Sequence, residues 1–139
     1  MPASIGLSHV AMGVPEGTLT DEYRAKLLDF YGRMLGWREI ESLRRPDRLT
    51  ISVGAASYVN VREQPEPMVS HGYEHIGVIL GSAADLRRLW ADLASDPLNE
   101  ELEELSTNPD GEGSFRFRYL LPLAVEAQYY AHLVGPRTP

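Results

Sequence analysis

The fold can be worked out from one stretch, which is Leu27-Leu28-Asp29-Phe30-Tyr31-Gly32-Arg33-Met34-Leu35-Gly36-Trp37. It completes an apolar stripe at roughly helical spacing, which predicts the last turns of an amphipathic helix; the stripe is formed by Tyr23, Leu27, Phe30, Tyr31 and Leu35. Thr20 is the expected N-cap. Gly36 stands where a helix commonly ends in a left-handed residue, and Trp37 then begins a strand.

The same order of elements, namely a strand, a helix and three more strands, occurs twice in the chain. The first copy has predicted strands at 5–14, 37–43, 48–53 and 57–63. The second has strands at 73–80, 102–106, 114–121 and 124–133, around a helix that follows a capping box at Ser82 and Asp85. A segment with two prolines, 65–70, separates module one (1–64) from module two (71–139). The predicted fold class is therefore α+β, with two βαβββ modules in a single domain spanning 1–139.

Composition excludes several classes of protein. The 139 residues contain no cysteine, which rules out disulfides, thiolate metal sites and a cysteine nucleophile. A net charge of −7 argues against nucleic-acid binding. No apolar run approaches the roughly 20 residues of a membrane span. The first residues lack a basic segment followed by an apolar one, so we expect no signal peptide and a cytoplasmic protein.

Four motifs give the chain a resemblance to the vicinal oxygen chelate superfamily, which includes glyoxalases, extradiol dioxygenases, fosfomycin-resistance transferases and bleomycin-binding proteins. They are Leu-Ser-His-Val at 7–10, Phe-Tyr-Gly-Arg-Met-Leu-Gly-Trp at 30–37, Glu-His-Ile-Gly-Val at 74–78 and Val-Glu-Ala-Gln-Tyr-Tyr at 125–130. The resemblance implies that the two modules form a curled mixed sheet, a cup with metal ligands inside it. It also implies a homodimer, in which a cup can be shared between subunits.

Carried over by position, the resemblance implies metal ligands at His9, His75 and Glu126. Two imidazoles and one carboxylate suit Fe(II), which we favour, and also Mn, Ni or Zn. The position of a fourth family ligand is occupied by Asn60, a weak neutral donor that we expect to make a structural hydrogen bond instead. A carboxylate among apolar neighbours on the last strand is costly to bury unless a cation or hydrogen bonds compensate it.

Further candidates lie near Glu126. Alternation along a strand continued to Leu133 places Tyr130 and His132 on its face, and both are candidate catalytic acid–base groups. Arg116 and Arg118 could bind an anionic substrate, but we favour a solvated outer face for them.

The sequence predicts a metal-dependent enzyme that acts on a small oxygen-chelating substrate, with an extradiol-type dioxygenase as one form. Two departures weaken the dioxygenase interpretation: no histidine lies near Val61, and the segment 120–124 replaces the family's usual turn before the final glutamate. A glyoxalase- or fosfomycin-type lyase or transferase stays open. The other alternative is a metal-free drug-binding resistance protein, as in the bleomycin-binding relatives, whose cup would be lined by Trp37, Tyr58, Tyr119 and Tyr130.

Overall fold

The computed structural model describes residues 6–98 and 101–134. The chain divides into two compact units, with the boundary between Val69 and Ser70. Each unit has one sheet and one long helix. Among the described residues, no helix combines the length and the apolar character needed to cross a bilayer.

The first unit follows the βαβββ order. Its elements are β1 (His9–Pro15), α1 (Asp21–Leu35), β2 (Arg38–Glu39), β3 (Arg48–Ser52) and β4 (Tyr58–Gln64), with a 3-10 turn at Glu41–Leu43. The sheet order is β1-β4-β3-β2; β1 runs parallel to β4, and the other pairs are antiparallel. One sheet face is buried together with the apolar stripe of α1, through Met12, Val14, Ile51, Val59, Val61, Leu27, Phe30 and Tyr31.

The ends of α1 follow the predicted signals. The Thr20 side chain accepts a hydrogen bond from the Tyr23 N–H at 3.1 Å and caps the first turn. Gly36 has φ 71° and ψ 18°, the left-handed conformation that a residue with a Cβ adopts at a cost. Trp37 then stacks on Tyr31 with ring centroids 4.9 Å apart, which fixes the direction in which the chain leaves the helix.

The second unit repeats this plan. Its elements are β5 (His75–Ile79), α2 (Ala83–Ser95), β6 (Glu101–Leu102), β7 (Ser106–Thr107), β8 (Gly113–Arg118), β9 (Ala124–Tyr129) and α3 (Ala131–Val134). The sheet order is β5-β9-β8-β6, with β7 also paired to β8, and β5 runs parallel to β9. The capping box forms as predicted, because Ser82 Oγ accepts from the Asp85 N–H at 3.1 Å and donates to its carboxylate at 2.8 Å. Helix α2 packs against β9 and buries Leu86, Leu89 and Leu93.

Most of the predicted strands were too long, and three of them differ most clearly from the structure. The strand expected at 37–43 keeps only Arg38–Glu39 before the 3-10 turn, and the one expected at 102–106 is divided between β6 and β7. The last strand ends at Tyr129 rather than Leu133. The Glu112 carboxylate accepts the Ala131 N–H at 2.8 Å, which helps to hold the chain in the short helix α3. That bond, followed by the one from Asn108, lowers the pKa of Glu112 and keeps this carboxylate ionised.

A buried arginine connects α1 to the segment before β3. Arg24 is only 5% exposed, and all its observed partners are backbone carbonyls. Its Nε donates to Leu19 O at 3.1 Å, and one terminal nitrogen donates to Arg48 O at 3.1 Å. The other terminal nitrogen donates to Arg45 O at 2.7 Å and Pro46 O at 3.1 Å. A planar guanidinium can bind several acceptors at once, so one side chain fixes the whole 45–48 turn.

Candidate metal centre

The two units place equivalent residues at equivalent points of their sheets. In the first unit His9 is opposite Tyr58 and, two residues on, Ala11 is opposite Asn60. In the second unit His75 is opposite Ala124, and Gly77 is opposite Glu126. His9 therefore corresponds to His75, and Asn60 corresponds to Glu126. The two modules that were inferred from the sequence pattern therefore also match in the register of their paired strands.

The structure brings His75 and Glu126 together. Their side chains share the face of the second sheet opposite α2, and His75 Nε2 lies 2.6 Å from Glu126 Oε2. The two side chains are 23% and 24% exposed, so both are reachable from solvent. A small ligand could therefore approach this pair without rearrangement of the sheet.

The orientation of His75 suits a metal ligand. Its Nδ1 lies 2.6 Å from the carbonyl oxygen of Tyr73, and because a carbonyl only accepts, Nδ1 must carry the hydrogen. Nε2 is then the nitrogen that a metal can bind. Metal-ligating histidines usually have their other ring N–H fixed in this way. The Nε2 atom and the adjacent carboxylate make a donor set that fits a divalent first-row metal.

His9 lies in the first unit, at the exposed start of β1. Its ring stacks on Tyr58 with centroids 4.6 Å apart and planes inclined by 5°. Its Nδ1 lies 2.7 Å from the Ser8 hydroxyl, so here too Nδ1 makes the local contact. Within residues 6–98 and 101–134 there is no group of three or more His, Cys, Asp or Glu side chains that could hold a metal. The second unit thus supplies two donors, and the third expected ligand belongs to the first unit.

Asn60 behaves as expected for a structural residue. Its Oδ1 accepts a long hydrogen bond, 3.4 Å, from the hydroxyl of the buried Thr50 on the neighbouring strand. The position equivalent to Glu126 in the first unit is therefore neutral and internally bonded. This favours a three-ligand set over a four-ligand one.

The two arginines of β8 do not lie on an outer face away from Glu126, as the sequence had suggested. Arg116 is directly opposite Glu126 in the register of β8 and β9, so both side chains are on the same face. The phenylalanines that alternate with the arginines are the buried ones, because helix α2 covers their face. Arg116 pairs with Glu103, and Arg118 pairs with Glu101. Both arginines of β8 therefore lie on the sheet face that carries Glu126.

Tyr130 and His132 lie beyond the strand that was expected to carry them. Tyr130 is the first residue after β9 and is half-buried, whereas His132 is exposed on α3. Their rings are 6.0 Å apart. Because β9 ends at Tyr129, strand alternation does not place His132 on the face of Glu126.

Two cavities are relevant to ligand binding. One of about 310 Å³ lies in the second unit and is lined by Ser70, His71, Gly72, Glu74, Glu101, Arg118, Pro122 and Ala124. Arg118 Nε itself is buried and has no hydrogen-bond partner among the described residues. The other, of about 600 Å³, lies in the first unit at the start of α1. Its Arg24 is engaged by carbonyls and its Arg44 pairs with Glu39.

Comparison with solved structures identifies the fold. FosX, a fosfomycin resistance protein from Listeria monocytogenes, is 17% identical, with 90% of each chain covered and a TM-score of 0.64. A protein from Bacillus cereus described as a possible glyoxalase is 13% identical, covers 90% of this chain and 99% of its own, and has a TM-score of 0.65. An integron cassette protein from the Halifax Harbour sewage outfall is 22% identical, with coverages of 90% and 98% and a TM-score of 0.60.

The chain therefore has the vicinal oxygen chelate fold, which confirms the fold that the resemblance of its motifs implied. No protein-family model and no curated protein matches it. FosX from Listeria monocytogenes has been solved with Mn(II) and sulfate, and a mutant of it with Mn(II) and 1S,2S-dihydroxypropylphosphonic acid. Identities of this size establish the architecture, and the reaction has to be argued from the site.

Proposed function

We propose that this chain is a divalent-metal-dependent enzyme that acts on a small substrate with two adjacent oxygen atoms and an anionic group. His9, His75 and Glu126 are the metal ligands. The observation that carries the proposal is the contact between His75 Nε2 and Glu126 Oε2 at 2.6 Å, with Nδ1 of the same ring fixed by a backbone carbonyl. Three protein ligands would leave coordination positions for substrate oxygens.

The anionic group is inferred from the arginines on the same face. Arg116 and Arg118 point to the side of the sheet that carries Glu126, and Arg118 also lines the 310 Å³ cavity. Guanidinium groups recognise carboxylates and phosphonates through paired hydrogen bonds. The ligand seen with FosX, a phosphonate with two neighbouring hydroxyls, has this chemistry.

The roles of the residues follow from their positions. When bound, a divalent metal supplies Lewis-acid stabilisation of charge that develops on the substrate oxygens. The Tyr73 carbonyl keeps His75 in one tautomer, and Arg118 orients the anionic end of the substrate. Tyr130, which directly follows β9, is the candidate proton carrier nearest in sequence to Glu126, and His132 is a second candidate.

The substrate class can be tested by calorimetry on the Mn(II)-loaded chain. We expect 1,2-dihydroxypropylphosphonic acid to bind at least about tenfold more tightly than propane-1,2-diol, because only the first offers an anion to arginine. Arg118→Ala should remove most of this difference. Arg88→Ala, an exposed arginine of α2 on the other side of the sheet, is the control and should leave it unchanged. Equal binding of the two diols by the unaltered chain would contradict an anionic substrate.

Experiments on the metal-loaded chain also distinguish the proposed function from two others. Oxygen uptake by the Fe(II)-loaded chain with a panel of catechols would identify an extradiol dioxygenase, whose donor set is the same.

A metal-free drug-binding protein would retain no metal after reconstitution with Fe, Mn, Ni or Zn. Four aromatic residues were expected to line the cup of such a protein, and two of them, Trp37 and Tyr119, are buried with 4% and 5% exposure. The other two, Tyr58 and Tyr130, keep accessible surface.

A further inference from the structure

Arg116 occupies a position that should compete with the proposed metal. It lies directly opposite Glu126 on the same sheet face, where paired residues have Cβ atoms about 4.5–5.5 Å apart. An arginine at that distance can form a two-pronged pair with a carboxylate. Such a pair would occupy the oxygen atoms that Glu126 needs for a metal. In the structure the carboxylate of Glu126 instead contacts His75.

The arginine is held by Glu103. Arg116 Nε donates to Glu103 Oε1 at 2.8 Å, and a terminal nitrogen lies 2.8 Å from the same oxygen. The other carboxylate oxygen of Glu103 accepts the Arg116 main-chain N–H at 3.2 Å. One acid therefore binds both the side chain and the backbone of Arg116.

Glu103 is itself anchored at the edge of the sheet. Its N–H donates to the Arg116 carbonyl at 2.9 Å, and its own carbonyl accepts from Trp90 Nε1 at 2.9 Å. The Tyr73 ring, whose centroid is 5.9 Å from the Arg116 guanidinium carbon, adds a cation–π contact on the side of β5. These contacts fix where the positive charge lies.

We propose that Glu103 is a positioning residue that holds Arg116 away from the Glu126 carboxylate and thereby keeps that carboxylate available to the metal. This inference rests on the proposed function, since it concerns the same site. Without Glu103, the guanidinium turns to the nearest remaining carboxylate of its row, which is Glu126. Glu103 thus acts on the metal only through Arg116, and its effect should vanish when Arg116 is absent.

The chain contains a matched control pair. Arg118, two residues after Arg116 on β8, forms the same kind of ion pair with Glu101 on β6. The register that pairs Phe117 with Val125 directs Arg118 toward Ala124 rather than toward Glu126. Glu101→Gln and Glu103→Gln make the same change in charge, so a general electrostatic effect should appear in both. Glutamine also preserves an acceptor for the Arg116 N–H.

The test is a calorimetric titration of the full chain with Mn(II) alone. We expect Glu103→Gln to weaken Mn(II) binding about tenfold or more, in the range seen for residues that support metal ligands, and Glu101→Gln to change it by less than about threefold. Arg116→Ala alone should bind Mn(II) at least as tightly as the unaltered chain. The double variant Glu103→Gln, Arg116→Ala should bind as Arg116→Ala does.

The outcomes separate the two proposals. If the unaltered chain binds Mn(II) but Glu103→Gln and Glu101→Gln behave alike, the role of Glu103 is wrong and the metal site stands. Absence of rescue in the double variant, or loss of binding in Arg116→Ala, also overturns that role and does not depend on how well Glu103→Gln folds. If the unaltered chain binds neither Mn(II) nor the other reconstituted metals, both proposals fail.

Discussion

His75→Ala is expected to lower the affinity of the chain for Mn(II) by at least about 100-fold. Loss of a direct ligand should exceed the 10- to 100-fold loss that follows when only a supporting residue is changed. The variant removes the Nε2 atom that lies 2.6 Å from Glu126 Oε2 and leaves one donor in the second unit. Binding isotherms of the purified variant with Mn(II) measure the effect, and catalytic activity should disappear with it.

His71→Ala is the matched control for this experiment. His71 is an exposed histidine of the same unit, four positions earlier in the chain, and its main-chain N–H rather than its ring binds Glu74. We expect a change in Mn(II) affinity of less than about threefold. Equal losses in both variants would mean that histidine removal acts through the fold. No loss in either would remove His75 from the metal site.

Arg24→Ala is expected to destabilise the protein by about 3 kcal/mol or more. The substitution removes the four hydrogen bonds that the guanidinium donates to the carbonyls of Leu19, Arg45, Pro46 and Arg48, and a hydrogen bond to a charged group contributes about 1.5–3 kcal/mol before water replaces part of it. At about 4 °C per kcal/mol for a chain of this size, the melting temperature should fall by roughly 12 °C. Urea unfolding at equilibrium gives the free-energy difference directly.

Arg33→Ala, in the same helix, serves as the comparison. Arg33 makes an exposed pair with Asp29 four residues earlier, a contact worth about 0.3–0.5 kcal/mol. Arg24→Lys should be nearly as unstable as Arg24→Ala, because an ammonium cannot reach four carbonyls in the geometry of a planar fork. If Arg24→Ala lost no more stability than Arg33→Ala, the account of this buried arginine would be incorrect.

Much of the fold was predictable because its signals are local. The Thr20 cap, the left-handed Gly36 and the Ser82–Asp85 capping box each depend on residues within three or four positions of one another. Helical spacing then gave both long helices, with the observed boundary of α1 at Leu35. The equivalence of His9 and His75 also followed from pattern, since both stand near the start of the opening strand of a module.

What the sequence missed depends on contacts between distant residues. The last strand stops at Tyr129, where Glu112, 19 residues before Ala131, holds the next turn. Arg24 resembled any polar residue of an amphipathic helix, and three of its four carbonyl partners lie 21 to 24 residues away in the 45–48 turn. The side of the sheet on which Arg116 lies could have been inferred, because the alternating Phe115 and Phe117 are the residues that a helix must cover.

Pulsed electron paramagnetic resonance of the Mn(II)-loaded chain most directly tests the proposal that His9, His75 and Glu126 hold one divalent metal. We expect one Mn(II) per chain with couplings to two imidazole nitrogens. His9→Ala should leave one such coupling and weaken binding, although its ring lies in the other unit from His75. A single nitrogen in the unaltered chain, together with unchanged binding by His9→Ala, would contradict the claim.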